Sequence, residues 1–444
     1  DWQYSGIASR LSKNMPVPRG KVTGGTSSIN GQVFLRPIPE DFARWVELGN
    51  DRWGFEECLP YMLKIETDLD YGGDFHGQEG PIVVKRHDLE TLTNEQLAFY
   101  KACKYQGYTE NLDHNLPDAE GVGPYPLNNP GGIRFSTALG YLTQSRHRLN
   151  LTIKPNCVTK KILFDGNTAN GVEVISGGET FRIDGREIIL SAGAIATPQI
   201  LMLSGIGPKE SLSRLDIDVV SDLPGVGKNL RDHPDIRMTW QPDATFKKPD
   251  QKIGPQKVAL RYTSEGSPYR NDMIMVMRFS HDLGESGALM ISVGLYLAES
   301  TGKISLQSKD ICIQPLLNYN LLSQEYDLQR LREGVRLADQ IVRSPSFDGM
   351  VASRIAPQEN VINNNDLLDK WMLENVQTMH HISGTCKMGP RSDRQAVVNQ
   401  YGSVYGINKL RIADTSIMPD CPRANTNVAA MLIGEKISEF IKTA

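Results

Sequence analysis

The run Ile188-Ile189-Leu190-Ser191-Ala192-Gly193-Ala194-Ile195-Ala196-Thr197-Pro198-Gln199-Ile200-Leu201-Met202-Leu203-Ser204-Gly205-Ile206-Gly207 reads as a strand that turns into a helix. Ile188 to Leu190 is a short β-branched run that passes into small residues, and Ile195 to Leu203 reads as a buried helix. Thr197-Pro198 predicts the helix start, since threonine caps and proline suits the first helical position. Ser204-Gly205 predicts its end. Strand, small-residue turn and helix N-terminus in this order form a natural cradle for an anion or a cofactor, because the first amides of a helix lack intrahelical partners. The same order also suits a well-packed αβ corner without a ligand.

On either side the pattern is mixed. Upstream, Leu151 to Lys154, Val158 to Phe164, Gly171 to Ile175 and Glu187 to Leu190 are predicted strands separated by turns. Residues 51–137 are rich in turn signals, such as Tyr71-Gly72-Gly73-Asp74 and Asn128-Asn129-Pro130-Gly131-Gly132. Downstream, 240–320 is expected to add strands of a mixed sheet. Leu328, Leu331, Val335, Ala338 and Ile341 recur at helical spacing, which predicts an amphipathic helix over 326–342, and 428–441 reads as a closing helix. Strands and helices mix without strict βαβ alternation, so the expected class is α/β, or mixed α+β, with two interleaved domains.

The bulk numbers agree. A chain of 444 residues exceeds the usual size of one core, and 39% hydrophobic with 23% charged residues is globular composition. A net charge of −4 gives no electrostatic case for nucleic acid or an anionic membrane. No apolar stretch reaches the ~18 residues of a membrane-spanning helix. The six cysteines are scattered without a CxxC pair, so neither a disulfide framework nor a zinc site is expected, and the cytoplasm is the default compartment.

Three further segments carry chemistry. Arg19-Gly20-Lys21-Val22-Thr23-Gly24-Gly25-Thr26-Ser27-Ser28-Ile29-Asn30 is a loop whose Gly-Gly pair can bring backbone amides close to a flat or phosphorylated ligand. Its Thr26, Ser27, Ser28 and Asn30 add short donors and acceptors. Met379-His380-His381-Ile382-Ser383-Gly384-Thr385-Cys386 places two adjacent histidines beside a glycine turn. Adjacent side chains on a strand point to opposite faces, and no carboxylate or cysteine pattern completes a metal site, so no metal is expected. One of the two suits a base, because histidine titrates near neutrality. In the fourth segment, Leu410 to Pro419 precedes Asn425-Thr426-Asn427 and the last helix. Capping alone would explain Asn425 and Thr426, but a helix N-terminus also favours an anion such as a reduced flavin ring.

Together these segments resemble the glucose–methanol–choline (GMC) family of FAD-dependent alcohol oxidoreductases, choline dehydrogenase-like enzymes among them. Gly20 to Asn30, continuing through Phe34 and Pro37, is similar to the family's first signature, and Gly193 to Gly207 to its second. Leu223 to Pro234 resembles another recurrent family stretch, and order and spacing agree along the whole chain. The resemblance implies that His381 is the catalytic base, that Asn425 is the second active-site residue, and that hydride passes from an alcohol to flavin N5. It implies that Gly24, Gly25, Thr26, Ser28, Ile29, Asn30 and Gly31 lie along the flavin and that Ala192 and Gly193 border the cofactor. Asp414 and Thr415 are expected near the pyrophosphate and ring, Thr426 and Asn427 at the isoalloxazine, and Val158 at the adenine.

The resemblance further implies a Rossmann-like FAD-binding domain over 1–50, 138–240 and 395–444, interleaved with a substrate domain over 51–137 and 241–394 built on a mixed or antiparallel sheet with helices. Some family members attach FAD through a histidine that falls on Ile29 here, so non-covalent FAD is expected. The family opens with a βαβ unit carrying GxGxxG. No such run follows a strand in this sequence, and Asp1-Trp2-Gln3-Tyr4 resembles a point well inside the flavin domain. The expectation is that this unit is missing here, either removed or supplied by a separate N-terminal chain. Expected partners are a small-molecule alcohol and an electron acceptor, oxygen or a quinone-type compound. Two other readings stay open: a flavin-free remnant serving as a structural subunit, and a lyase such as the family's hydroxynitrile lyases.

Overall fold

The computed structural model describes residues 1–12, 14–250, 256–283 and 287–443. Its largest sheet runs in the order Val351–Ala356, Pro234–Pro242, Ala288–Leu295, Met273–Ser280, Val258–Tyr262, Gly121–Pro124, with Gln377–Thr378 also paired to Pro234–Pro242. Every pairing in it is antiparallel, the second of the two forms expected, mixed or antiparallel. Ala288–Leu295 is buried at every position, as its unbroken apolar run requires of a central strand. One face is covered by the helix Glu325–Val342, whose Leu331, Val335, Ala338 and Ile341 are fully buried, as the helical spacing predicts. Gly334 lets that helix approach closely: a Cβ there would meet Val293 Cγ1 at 2.6 Å.

Other strands of the 240–320 stretch go elsewhere. Lys303–Ser305 and Leu316–Asn318 join Tyr4–Ile7 and Asn14–Val17 in a separate four-stranded sheet, with Ile7 parallel to Asn318. Residues 251–255 and 284–286 of the stretch lie outside the described residues. The strand Pro234–Pro242 begins inside the range assigned to the cofactor domain, yet its ladder partners all belong to the large sheet.

The opening run folds nearly as read. Ile188–Leu190 pairs in parallel with Leu410–Ile412, and the helix spans Gly193–Leu203. Its start is a correction: Ala192 is the N-cap, and Thr197-Pro198 lies inside the helix. Proline removes the hydrogen bond to the carbonyl four residues back. That carbonyl, of Ala194, accepts instead from Thr385 Oγ1 at 2.6 Å. Thr197 Oγ1 turns to Asp414 Oδ2 at 2.6 Å, so its hydroxyl ties helix to loop where a cap was expected. A second correction concerns Leu151 to Lys154, which is irregular and exposed; it finds no partner strand among the described residues. Val158–Asp165, Thr168–Ser176 and Glu179–Asp184 do form a three-stranded antiparallel sheet. Within 51–137 the turn signals hide two helices, Phe55–Ile65 and Asn94–Tyr105. No helix among the described residues is long and apolar enough to cross a membrane.

Candidate active site

His381 and Asn425 meet. Asn425 Nδ2 lies 3.0 Å from His381 Nε2. Asn425 is the N-cap of the last helix, Thr426–Lys442, but its side chain makes no capping bond. It is turned to the histidine, so the first-turn amides keep no side-chain partner from the cap. No acidic residue stands in that first turn. The positive end of the helix therefore faces the site unneutralised.

His381 is not on a strand, as was expected, but on an irregular segment after Gln377–Thr378. That segment runs antiparallel to residues 231–235: Pro234 pairs with Thr378, Met379 N donates to His233 O at 3.0 Å, and Arg231 and Ser383 exchange both backbone bonds. The register sets His233 against His381, with Nδ1 atoms 2.9 Å apart. Asp232 Oδ1 accepts from both backbone amides, His233 at 2.7 Å and His381 at 2.9 Å, while Thr378 Oγ1 holds Oδ2. Burial lifts the Asp232 carboxyl to about 6. Burial also holds His381 well below the ordinary imidazole value, with His233 adding to the effect. His381 is thus a neutral imidazole near pH 7. His380 takes a left-handed φ of 67°, and its side chain lines a separate cavity of about 540 Å³ with Tyr4, Met15, Arg237 and Gln377.

The glycine-rich loop is a short 3-10 turn, Gly25–Ser28, entered through Gly24 at φ 89°. It is clamped from residues 134–137: Ser27 Oγ accepts from Thr137 N at 3.0 Å, and Arg134 Nη1 donates to Asn30 Oδ1 at 2.8 Å. Ser28 Oγ donates to the Thr23 carbonyl at 2.9 Å, Thr26 Oγ1 accepts from Gly20 N at 3.2 Å, and Ile29 is 41% exposed. A Cβ built on Gly25, Gly31 or Gly193 would meet nothing within 4 Å, so these backbones border open space. Asp414 is buried and accepts from Gly193 N at 2.9 Å and Ser416 N at 2.8 Å, its carboxyl raised by burial. Its carboxylate thus joins the Leu410–Ile412 strand end to the Gly193 helix and points away from solvent. Thr415, Thr426 and Asn427 are partly exposed, and Val158 opens the strand that packs on the Gly193–Leu203 helix.

Sequence reading assigned no role to Asp232, His233, Arg134 or Thr137. The Asp232-His233-Pro234 triplet was visible as part of a longer run, but its partner lies 148 residues away. Among the described residues, Glu66, Asp68 and His76 also cluster within reach of a metal ion. Arg36 reaches Glu66 at 2.5 Å and Arg86 reaches Asp68 at 2.8 Å, so guanidinium groups already neutralise these carboxylates.

A neutral buried imidazole lies beside an amide donor at an uncapped helix N-terminus, an arrangement suited to taking a proton next to a developing negative charge. Comparison with known proteins gives the family. The family model described as GMC oxidoreductase matches residues 5–235 with its N-terminal part and 298–434 with its C-terminal part. The chain is 34% identical to an oxygen-dependent choline dehydrogenase of Photobacterium profundum, over 99% of this chain and 83% of that one. It is 36% identical to a 5-(hydroxymethyl)furfural oxidase of a Methylovorus species, over 96% and 83%. Among solved structures, pyridoxine 4-oxidase from Mesorbium loti superposes with a TM-score of 0.93 at 25% identity, over 100% of this chain and 89% of that one. The chain belongs to the GMC oxidoreductase family. It is an oxidoreductase acting on CH–OH donors, with FAD as its cofactor.

Proposed function

We propose that this protein oxidises a primary alcohol to the aldehyde, with His381 as general base and Asn425 as donor to the developing alkoxide. The observation that carries this is the 3.0 Å contact between Asn425 Nδ2 and His381 Nε2. An alcohol oxygen seated beside the pair, within reach of both, would donate its proton to Nε2 and accept from Nδ2. Loss of that proton makes the carbon a better hydride donor, and the amide stabilises the charge as an oxyanion donor does. FAD, when bound, supplies the hydride acceptor. Gly24, Gly25, Thr26, Ser28, Ile29, Asn30, Gly31, Ala192 and Gly193 would border it, with Thr415, Thr426 and Asn427 near its ring and Val158 near its adenine. The fit rests on the open space beside Gly25, Gly31 and Gly193 and on the unneutralised amides at Thr426. Asp414 would act from behind, by holding the Gly193 turn.

The primary alcohol is proposed because choline, 5-(hydroxymethyl)furfural and pyridoxine, in the relatives' names, each carry a CH2OH group. The acceptor is proposed as oxygen or a quinone-type compound, and the cytoplasm as the compartment, since all six cysteines are free. The cofactor part is proposed over 1–50, 138–233 and 395–444, its second boundary set by the strand that begins at Pro234. Anaerobic addition of a primary alcohol should bleach the bound flavin, and His381→Ala should slow this by at least about 10²-fold. Unchanged bleaching in that variant would refute the base. A hydroxynitrile lyase would cleave its substrate without bleaching, and a flavin-free subunit would show no visible absorption. Acid precipitation should release the flavin to the supernatant, because Ile29 offers no nucleophile for a covalent bond.

A further inference from the structure

The His233 and His381 rings stand 5.1 Å apart at 73°, with their Nδ1 atoms at 2.9 Å. Both are buried, His233 completely. Burial lowers His233 to about 3 and His381 well below its usual value, so both are neutral near pH 7. A neutral imidazole carries its proton on one nitrogen. Two Nδ1 atoms at hydrogen-bond distance share a single proton: two would clash, and none would set lone pair against lone pair. The two tautomers are therefore complementary. Asn425 Nδ2 only donates, and it lies against His381 Nε2, which must then present its lone pair. The His381 proton falls on Nδ1, and His233 Nδ1 accepts it. The pairing is held from the backbone, since one oxygen of Asp232 accepts from both histidine amides.

We propose that His233 is a positioning residue that holds His381 in the Nδ1–H tautomer and so keeps Nε2 unprotonated, able to take the alcohol's proton. This rests on the reading of His381 as base. In the step itself the alcohol O–H bond breaks and an Nε2–H bond forms. The imidazolium keeps its Nδ1–H on His233, whose lone pair steadies the new charge.

The test begins without substrate. In the FAD-loaded protein with 15N-labelled histidine, long-range spectra report which ring nitrogen carries the proton. His381 should show Nδ1–H and His233 Nε2–H; an Nε2–H on His381 overturns the proposal. His233→Phe removes the acceptor and should shift His381 toward Nε2–H and slow alcohol bleaching of the flavin at least about tenfold. His233→Gln, which offers an oxygen to Nδ1, should restore the tautomer and most of the rate. Wild-type bleaching in the Phe variant, or equal loss in Phe and Gln with Nδ1–H kept in both, overturns it. If His233→Phe does not fold, the wild-type spectrum and the Gln variant still decide. If no alcohol bleaches the wild type, the reading of the reaction fails, while the tautomer is decided separately by the spectrum.

Discussion

Asn425 carries two residue-scale demands at once. An asparagine at a helix N-cap ordinarily accepts from a first-turn amide, and losing that bond costs the helix about 1 kcal/mol. Here the side chain donates to His381 and the helix forgoes the cap. The exchange makes sense if the amide is needed where charge develops. Asn425→Ala should then slow alcohol bleaching by about 10²- to 10³-fold while the flavin stays bound. A rate within a few-fold of wild type would remove Asn425 from the reaction. His381 and Asn425 were legible as candidates because each sits in a long local motif that resembles the family's. His233 was not, because its significance depends on an antiparallel register between segments far apart in the chain.

The Gly193–Leu203 helix shows how an element is completed by its surroundings. Pro198 leaves the Ala194 carbonyl without its helical donor, and Thr385 Oγ1 supplies one from beyond His381. Thr385 is fully buried, so water cannot substitute. Thr385→Val keeps the shape and leaves that carbonyl unpaired, which should cost about 1–3 kcal/mol in urea unfolding. Thr385→Ser should cost less, and equal loss in both would locate the cost in packing. Asp414 acts likewise at the N-terminus, through Gly193 N and Thr197 Oγ1. Asp414→Ala should raise the dissociation constant for FAD, measured by flavin fluorescence on dilution, because the turn it holds borders the opening. Unchanged retention would show that the turn keeps its shape unaided.

For the whole molecule, one buried ion cluster joins residues from 36 to 113. His76 Nδ1 lies 2.9 Å from Asp68 and Nε2 lies 2.8 Å from Asp113, with Glu66 at 3.5 Å. Arg86 bridges Asp68 and Asp113, and Arg36 pairs with Glu66. Burial alone would lower His76, but the carboxylates of Asp113, Asp68 and Glu66 outweigh it and lift His76 to about 10. Three cations then face four carboxylates, since Asp70 also stands 3.6 Å from Arg86. A raised histidine stabilises the fold fully below its unfolded value of 6.5, and that contribution fades as pH rises through about 10. Relative to His76→Gln, the wild type should therefore lose melting temperature between pH 6.5 and 10. Parallel melting curves for the two proteins over that range would show that His76 is neutral in the folded state.

The sequence by itself determined the class of the fold and the closing helix, and it singled out the glycine turns, His381 and Asn425 as candidates through their likeness to family motifs. These depend on period, capping chemistry and contiguous motifs, all of which act over a few residues. Tertiary structure alone decided that Asn425 directs its amide to His381, that His233 stands against that histidine, and that Thr385 and Asp414 complete a helix begun at Gly193. It also placed the strands after 300 with the first strands of the chain and left Leu151 to Lys154 unpaired. Such outcomes turn on which distant donor reaches which buried acceptor. A buried polar group must find a partner, but its neighbours in sequence do not say which partner that will be.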